Sequence, residues 1–145
     1  MTLAVDASVI TKIYFPEKRS ERARALMDDA LESDERVLAP RLLAAEFVNV
    51  ARKKMRRDGV SLDEAVGAID RFLRLRIGYR ADPEIYREAI LLTERYSLSG
   101  FDAQYVALAQ LAGRDLWVDD GRMLNAIAGR LPLVRRLSES RPRRT

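Results

Sequence analysis

The stretch Met1-Thr2-Leu3-Ala4-Val5-Asp6-Ala7-Ser8 determines how the rest of the chain is interpreted. Leu3 to Val5 form a continuous apolar run, which is typical of a strand covered on both faces. In parallel sheets, ligands bind beyond the carboxyl ends of the strands, so Asp6 is predicted to point into a crevice. The same residue would also serve as the N-cap of a helix that begins near Val9. Asp6 alone leaves both interpretations open, and the other acidic residues must decide between them.

Composition excludes several kinds of chemistry. The 145 residues fit one compact domain, and 48% of them are hydrophobic, enough for a single core. Cysteine and histidine are both absent, which excludes disulfides, structural zinc sites and histidine acid–base catalysis. The chain has no apolar run of membrane length and no signal peptide, so we expect a cytoplasmic protein. The net charge of +4 is compatible with a polyanionic partner, but much of the excess lies between Arg135 and Arg144.

Alternating apolar runs and helical patterns predict an α/β fold. Strands are expected to alternate with helices, which is typical of a three-layer α/β/α domain with a mostly parallel central sheet. We expect the folded domain to span residues 1–137, followed by a basic, disordered tail at residues 138–145. The predicted strands are 3–5, 36–39, 76–80, 116–118 and 131–134, and the predicted helices are 9–15, 20–31, 41–57, 62–75, 83–96, 103–112 and 123–128.

Glu46 is an acid at an apolar position of the longest predicted helix. Leu42, Leu43 and Val50 lie three or four residues away, on the same face, so Glu46 is predicted to be partly buried. Asn49 shares this face, and its amide would be suited to orienting a carboxylate or a water. The alternatives are an internal ion pair with an arginine for Glu46 and a bond to a backbone carbonyl for Asn49.

Three further acids follow strands or begin helices. Asp102 lies in the first turn of a helix after Ser99, an arrangement that also fits a capping motif. Asp119 and Asp120 follow the predicted strand 116–118, as Asp6 follows the first strand. Alone, Asp102 would be interpreted as part of a cap, whereas Asp119 and Asp120 are explained equally well as turn or helix caps and as site acids.

Considered together, these acids predict a metal site. Carboxylates at strand ends and at adjacent helix starts meet at one edge of a parallel sheet. Clustered carboxylates repel one another unless a cation neutralises them, and an oxygen-only ligand set selects a hard ion such as Mg²⁺ or Mn²⁺. Such ions, about 3.5–4 Å apart in two-metal sites, hydrolyse phosphodiesters without histidine. The sequence therefore favours metal-dependent nuclease chemistry.

Four segments together resemble the PIN-domain nucleases, and most closely the VapC-type toxins of prokaryotic toxin–antitoxin pairs. The resemblance covers roughly residues 1 to 134, and the order of the segments is more specific than any one of them. The segments are Val5-Asp6-Ala7-Ser8-Val9, Glu46-Phe47-Val48-Asn49, residues 99–109 from Ser-Gly-Phe-Asp to Ala109, and Val118-Asp119-Asp120-Gly121-Arg122-Met123.

The resemblance implies a Mg²⁺- or Mn²⁺-dependent endoribonuclease that forms a homodimer or higher oligomer and is inhibited by an antitoxin. Its four catalytic and metal-binding acids would be Asp6, Glu46, Asp102 and Asp120. Ser8 and Asn49 would contact these ligands without binding the metal themselves. The family has Thr-x-Asp where this chain has Val118-Asp119-Asp120, so Asp119 is a rival to Asp120 or a supporting residue.

Two other functional classes are compatible with parts of the pattern. A receiver-type signalling domain also places acids around Mg²⁺, but it requires a late lysine, and no lysine follows Lys54. A PIN-like domain that binds RNA or a protein without cutting would keep the same acids. Nuclease assays separate this second alternative from the enzyme.

Overall fold

The sheet of this protein contains five parallel strands in the order β3-β2-β1-β4-β5. The computed structural model describes residues 2–34 and 36–141. The strands are β1 (Thr2–Val5), β2 (Arg36–Pro40), β3 (Ile77–Arg80), β4 (Leu116–Val118) and β5 (Val134–Arg136). The helices are α1 (Ala7–Tyr14), α2 (Ser20–Glu32), α3 (Leu42–Arg57), α4 (Leu62–Leu73), α5 (Pro83–Tyr96), α6 (Gly100–Ala112) and α7 (Gly121–Ile127).

The predicted α/β class is confirmed, and the described strands are all parallel rather than mostly so. Crossovers between parallel strands are right-handed. The connections from β1 to β2 and from β2 to β3 therefore cross one face of the sheet, and the connection from β3 back to β4 crosses the opposite face. Helix α6 accordingly packs on β1, β2 and β4, while α1 and α2 pack together on the other side. The order of the strands reverses between β1 and β4, and this switch point is where parallel sheets bind ligands.

The pairing register of β1 with β4 places the ends of these two strands side by side at the switch point. Ala4 pairs with Leu116 and Val5 with Trp117, and the Asp6 amide donates to the Trp117 carbonyl at 3.0 Å. The residues that follow β1 and β4 therefore leave the sheet at the same level. The apolar run that predicted β1 is buried as expected, with Val5 fully inaccessible.

An aromatic cluster joins α1 to the α3–α4 pair. The rings of Phe47 and Phe72 stack with their centroids 4.3 Å apart, and Tyr14 contacts both of them edge-on. Phe47 and Phe72 are almost completely buried. This packing holds α3 in place, and the residue that precedes Phe47 is Glu46.

Two predicted boundaries near the end of the chain are wrong. The last strand begins at Val134 rather than at residue 131, because residues 131–133 turn and the Val134 amide bonds the Leu131 carbonyl at 3.0 Å. Pro132, which has no amide hydrogen, lies in that turn. The expected tail also starts too early: Leu137–Glu139 form a 3-10 helix, Ser140 is buried, and Arg22 donates to the Ser140 carbonyl. Residues 142–145 lie outside the described part of the chain.

The other differences from the predicted elements are small. Helix α1 begins at Ala7 rather than at Val9, α4 ends at Leu73 rather than at residue 75, and α6 and α7 begin earlier than predicted. Within residues 2–34 and 36–141, no helix combines the length and the apolar character needed to cross a membrane.

Candidate active site

Asp6 lies at the end of β1 and is both a helix cap and a buried acid. Its carboxylate accepts a hydrogen bond of 3.1 Å from the Ser8 amide and so caps α1. Only 4% of the residue is exposed. The pKa of Asp6 is raised to about 6, mainly by burial; the neighbouring carboxylates of Asp102 and Asp120 contribute to this rise, and the bonds to Ser8 oppose it.

Glu46 enters the same region from α3. Its Oε1 accepts a hydrogen bond of 2.7 Å from the hydroxyl of Tyr105, a residue of α6 that is only 1% exposed. Partial burial raises the pKa of Glu46 to about 7, although the bond from Tyr105 opposes this effect. The carboxylates of Asp6, Asp102 and Asp120 add to the rise, so all four predicted acids interact electrostatically.

Asp102 reaches the cluster from the first turn of α6. The Ser99 hydroxyl accepts a bond of 3.1 Å from the Asp102 amide and caps the helix, which leaves the Asp102 carboxylate available. Burial raises the pKa of Asp102, and the charge of Asp120 raises it further. The predicted capping motif thus uses the Asp102 amide, while the Asp102 carboxylate faces the acidic cluster.

The adjacent residues Asp119 and Asp120 have different partners. The Asp119 carboxylate pairs with Arg19 at 2.9 Å and with Lys12 at 3.1 Å, and these cations neutralise it. Asp120 instead caps α7 by accepting bonds from the amides of Arg122 and Met123. Asp120, not Asp119, is the one that raises the pKa values of Asp6, Glu46 and Asp102.

Comparisons with known proteins identify the family of this chain. A family described as "PIN domain" matches residues 3–129. Ribonuclease VapC3 of Pyrobaculum aerophilum is 34% identical over 127 residues, which are 85% of this chain and 92% of that protein. The chain belongs to the PIN-domain family. The resemblance inferred from the sequence is confirmed.

Solved structures share the fold of this PIN domain. VapC20 of Mycobacterium tuberculosis, a toxin that cleaves the sarcin-ricin loop, superposes with a TM-score of 0.62 at 19% identity. The match covers 86% of this chain and 95% of that one. A chain of a toxin–antitoxin complex from Klebsiella pneumoniae superposes with a TM-score of 0.58 at 16% identity, over 88% of this chain and 94% of that one.

The two remaining predicted residues of the PIN domain differ in their surroundings. The Ser8 hydroxyl accepts a bond of 2.9 Å from the Asp119 amide and also contacts Asp6, so it links the ends of β1 and β4. Asn49 is exposed, and its side chain has no hydrogen-bond partner among residues 2–34 and 36–141. The hydrogen bond to the Glu46 carboxylate comes from Tyr105 and not from Asn49.

Sequence reasoning did not identify Tyr105 or the cations around Asp119. Tyr105 follows Asp102 by one helical turn, so its spacing placed it on the inward face but gave no sign of its bond to Glu46. Lys12 is 93% buried and pairs with Glu17 at 2.5 Å as well as with Asp119. A buried lysine on an amphipathic helix is visible in the sequence only as a polar residue at an apolar position.

The donor set of the cluster fits a hard cation. Its four side chains are carboxylates, and three of them have a raised pKa because burial and mutual repulsion disfavour their charged forms. A bound divalent ion would remove that repulsion. In the described part of the chain, however, no three acids already form a closed group of ligands. Asp6, Glu46 and Asp120 each use an oxygen in a hydrogen bond to this chain instead.

Proposed function

We propose that this PIN domain is a metal-dependent endoribonuclease and the toxin component of a toxin–antitoxin pair. The observation that carries the proposal is the meeting of Asp6, Glu46, Asp102 and Asp120 at the switch point of the sheet, where the pKa values of the first three are raised. Similarity to Ribonuclease VapC3 gives the proposal its substrate class. The reaction adds water across an RNA phosphodiester, so a P–O bond breaks and the fragments end in a hydroxyl and a phosphate.

The proposed ion is Mg²⁺ or Mn²⁺, because the available ligands are hard oxygen donors. Asp6 and Asp102 would bind it directly, and Glu46 and Asp120 would bind it through an oxygen or an intervening water. When bound, the ion supplies water activation and neutralises the charge of the phosphodiester. Asp119 takes no part as a ligand, since its carboxylate is engaged by Lys12 and Arg19.

The chain's own residues orient these ligands. Tyr105 holds one oxygen of Glu46 and leaves the other free, so it fixes the direction of that carboxylate. Ser8 ties the Asp119 amide to the start of α1, which keeps the Asp119–Asp120 turn next to Asp6. We assign to Asn49 a role only with substrate or ion present, because its side chain has no hydrogen-bond partner among the described residues.

The proposed partners follow from the relatives. We infer that a cognate antitoxin covers the acidic cluster in the cytoplasm and that the chain forms a homodimer or higher oligomer. Expression of the chain should arrest growth, and co-expression of the neighbouring open reading frame should restore it. Arrest that also occurs with Asp6→Asn would show that the toxicity does not come from the proposed site.

Cleavage by a single-residue variant is the decisive test. Asp6→Asn should abolish RNA cleavage while its circular dichroism spectrum stays unchanged, and excess EDTA should abolish cleavage by the unaltered chain. Asp70→Asn is the matched control, because Asp70 is an exposed acid on α4 with no ion pair among the described residues. Full activity of Asp6→Asn, or of the unaltered chain in EDTA, would refute the mechanism. Binding of RNA without cleavage in both Mg²⁺ and Mn²⁺ would favour the non-cleaving alternative.

Metal binding has a readout that does not depend on activity. A ligand that binds only the folded state adds about 2.7 kcal/mol at one hundred times its dissociation constant. Millimolar Mg²⁺ or Mn²⁺ should therefore raise the melting temperature of the unaltered chain and of Asp70→Asn. The rise should be much smaller for Asp6→Asn. An equal rise in all three proteins would place the ion elsewhere.

A further inference from the structure

Helix α3 carries a row of side chains that begins at Glu46. Val50, Lys53 and Arg57 follow Glu46 by four, seven and eleven residues, so the four side chains lie on one face of the helix. At 1.5 Å per residue, Lys53 is about 10 Å and Arg57 about 16 Å along the axis from Glu46. The row therefore leads from the acidic cluster toward the C-terminus of α3.

An open groove of about 370 Å³ lies along this row. Val50, Lys53 and Arg57 line it, and Ser8 lines it at the end near the acids. Four of its nine lining residues are cations and two are acids, and none is aromatic. The groove thus has a net positive charge and continues directly from the proposed active site.

The four cations of the groove divide into two kinds. Lys12 and Lys54 are paired with Glu17, and each also contacts an aspartate. Lys53 and Arg57 are exposed and have no ion-pair partner among residues 2–34 and 36–141. A cation in the last turn of a helix is favoured by the helix dipole, which accounts for Arg57. The dipole does not account for Lys53, a full turn earlier, and like charges four residues apart destabilise a helix.

We propose that this groove, through Lys53 and Arg57, binds the backbone of single-stranded RNA beside the cleaved phosphodiester. The proposal rests on the proposed ribonuclease function and specifies where its substrate lies. Phosphate contacts position a strand without reading its sequence, and base reading by stacking needs aromatic side chains, which the described lining residues of this groove lack. The groove therefore contributes affinity and placement, and target choice comes from another surface.

The salt dependence of RNA binding tests this proposal. Binding of a short single-stranded RNA is measured in EDTA, which prevents cleavage, over roughly 50–200 mM salt. Each phosphate contact on a single strand contributes about 0.7 to the slope of log K against log salt, so Lys53→Gln/Arg57→Gln should reduce the slope by about 1.4. By the same relation, binding at 0.1 M salt should weaken roughly 25-fold. In cleavage assays with metal, KM should rise and kcat should remain unchanged.

A second pair on the same helix is the matched control. Arg52 and Arg56 are exposed, are also four residues apart, and do not line the groove. Arg52→Gln/Arg56→Gln removes the same charge from α3 and should leave the slope close to that of the unaltered chain. Lys53→Arg, which keeps the charge, should retain the full slope.

Each outcome separates this proposal from the proposed function. Equal loss of slope in both pairs, or no loss in the Lys53 and Arg57 pair, overturns the groove even if the chain cleaves RNA. Selective loss in the groove pair supports the groove even if cleavage is never observed, in which case only the ribonuclease proposal fails. Absence of RNA binding by the unaltered chain overturns the groove.

Discussion

Replacing Tyr105 with phenylalanine removes the hydroxyl that, among the residues the structure describes, bonds the Glu46 carboxylate. The bond is 2.7 Å long, and its donor is a ring that is 1% exposed on α6. Phenylalanine keeps the ring and its packing, so the change isolates the hydrogen bond. This bond lowers the pKa of Glu46, whereas burial and the other three acids raise it to about 7. Its loss should therefore raise the pKa of Glu46 further.

The size of the effect follows from the charge of the acceptor. A hydrogen bond to an ionised group contributes about 1.5–3 kcal/mol. Glu46 is only partly buried, so water replaces part of the lost bond and the lower value applies. At 1.36 kcal/mol per unit, the pKa should rise by about one unit. Because the bond favours the charged form, the destabilisation should be small below pH 6 and should grow to about 1.5 kcal/mol at pH 8 and above.

Two measurements in EDTA check this prediction. Carbon-detected NMR titration should show the Glu46 carboxyl with a higher pKa in Tyr105→Phe than in the unaltered chain. Urea unfolding at several pH values should show the increasing difference in the free energy of unfolding. Tyr14→Phe is the control, because it removes a hydroxyl from a partly buried ring in the aromatic cluster, where the nearby charge that affects the hydroxyl is that of Arg71 and not of an acid of the cluster. An unchanged Glu46 pKa, or a destabilisation of Tyr105→Phe that is independent of pH, would refute the reasoning.

Three further predictions concern stability. In EDTA, the free energy of unfolding should fall as pH rises from about 4 to about 7. The reason is that Asp6 and Glu46 bind protons more tightly in the folded state, where their pKa values are about 6 and about 7, against ordinary values of 3.8 and 4.5. Asp6→Asn should flatten this fall. Lys12→Met should cost about 3 kcal/mol in urea unfolding, since it breaks a buried pair, whereas an equal cost for the exposed Lys18→Met would contradict that explanation. Phe47→Ala should cost about 3–5 kcal/mol by loss of its stacked contacts, and a similar cost for the exposed Val48→Ala would show that burial is not the cause.

The elements of the fold were predictable where local signals agreed. Asp82-Pro83 marked the start of α5, and Ser61 caps α4 by accepting a bond from the Glu64 amide, as its motif predicted. Gly113 ends α6 in the left-handed conformation that favours glycine. The start of β5 was missed because Leu131, Pro132 and Leu133 are as apolar as a strand, and only the tertiary turn removes them from the sheet.

The candidate site was predictable in its residue types but not in its contacts. Acids at Asp6, Glu46, Asp102 and Asp120 stand out because each lies at a strand end, a helix start or an apolar position. The choice between Asp119 and Asp120 could not be made, since it depends on Lys12 and Arg19 from a distant part of the chain. The bond from Tyr105 to Glu46 likewise joins residues separated by 59 positions, and no local pattern encodes such a contact.

The sequence left open whether Asp6 is a helix cap or an active-site acid, and its capping of α1 is compatible with the proposed role in the active site. Asp6 and Asp120 cap α1 and α7, and Asp102 lies in the first turn of α6, so three helix N-termini converge on the acids. The positive ends of the helix dipoles and the capping amides partly offset the repulsion among these carboxylates. Glu46 has no such support, because it lies in the middle of α3, and its pKa is raised to about 7, compared with about 6 for Asp6. Helix N-termini are thus the means by which the fold holds three acids together, two as caps and Asp102 in a first turn, and Tyr105 supports Glu46, where no helix start is available.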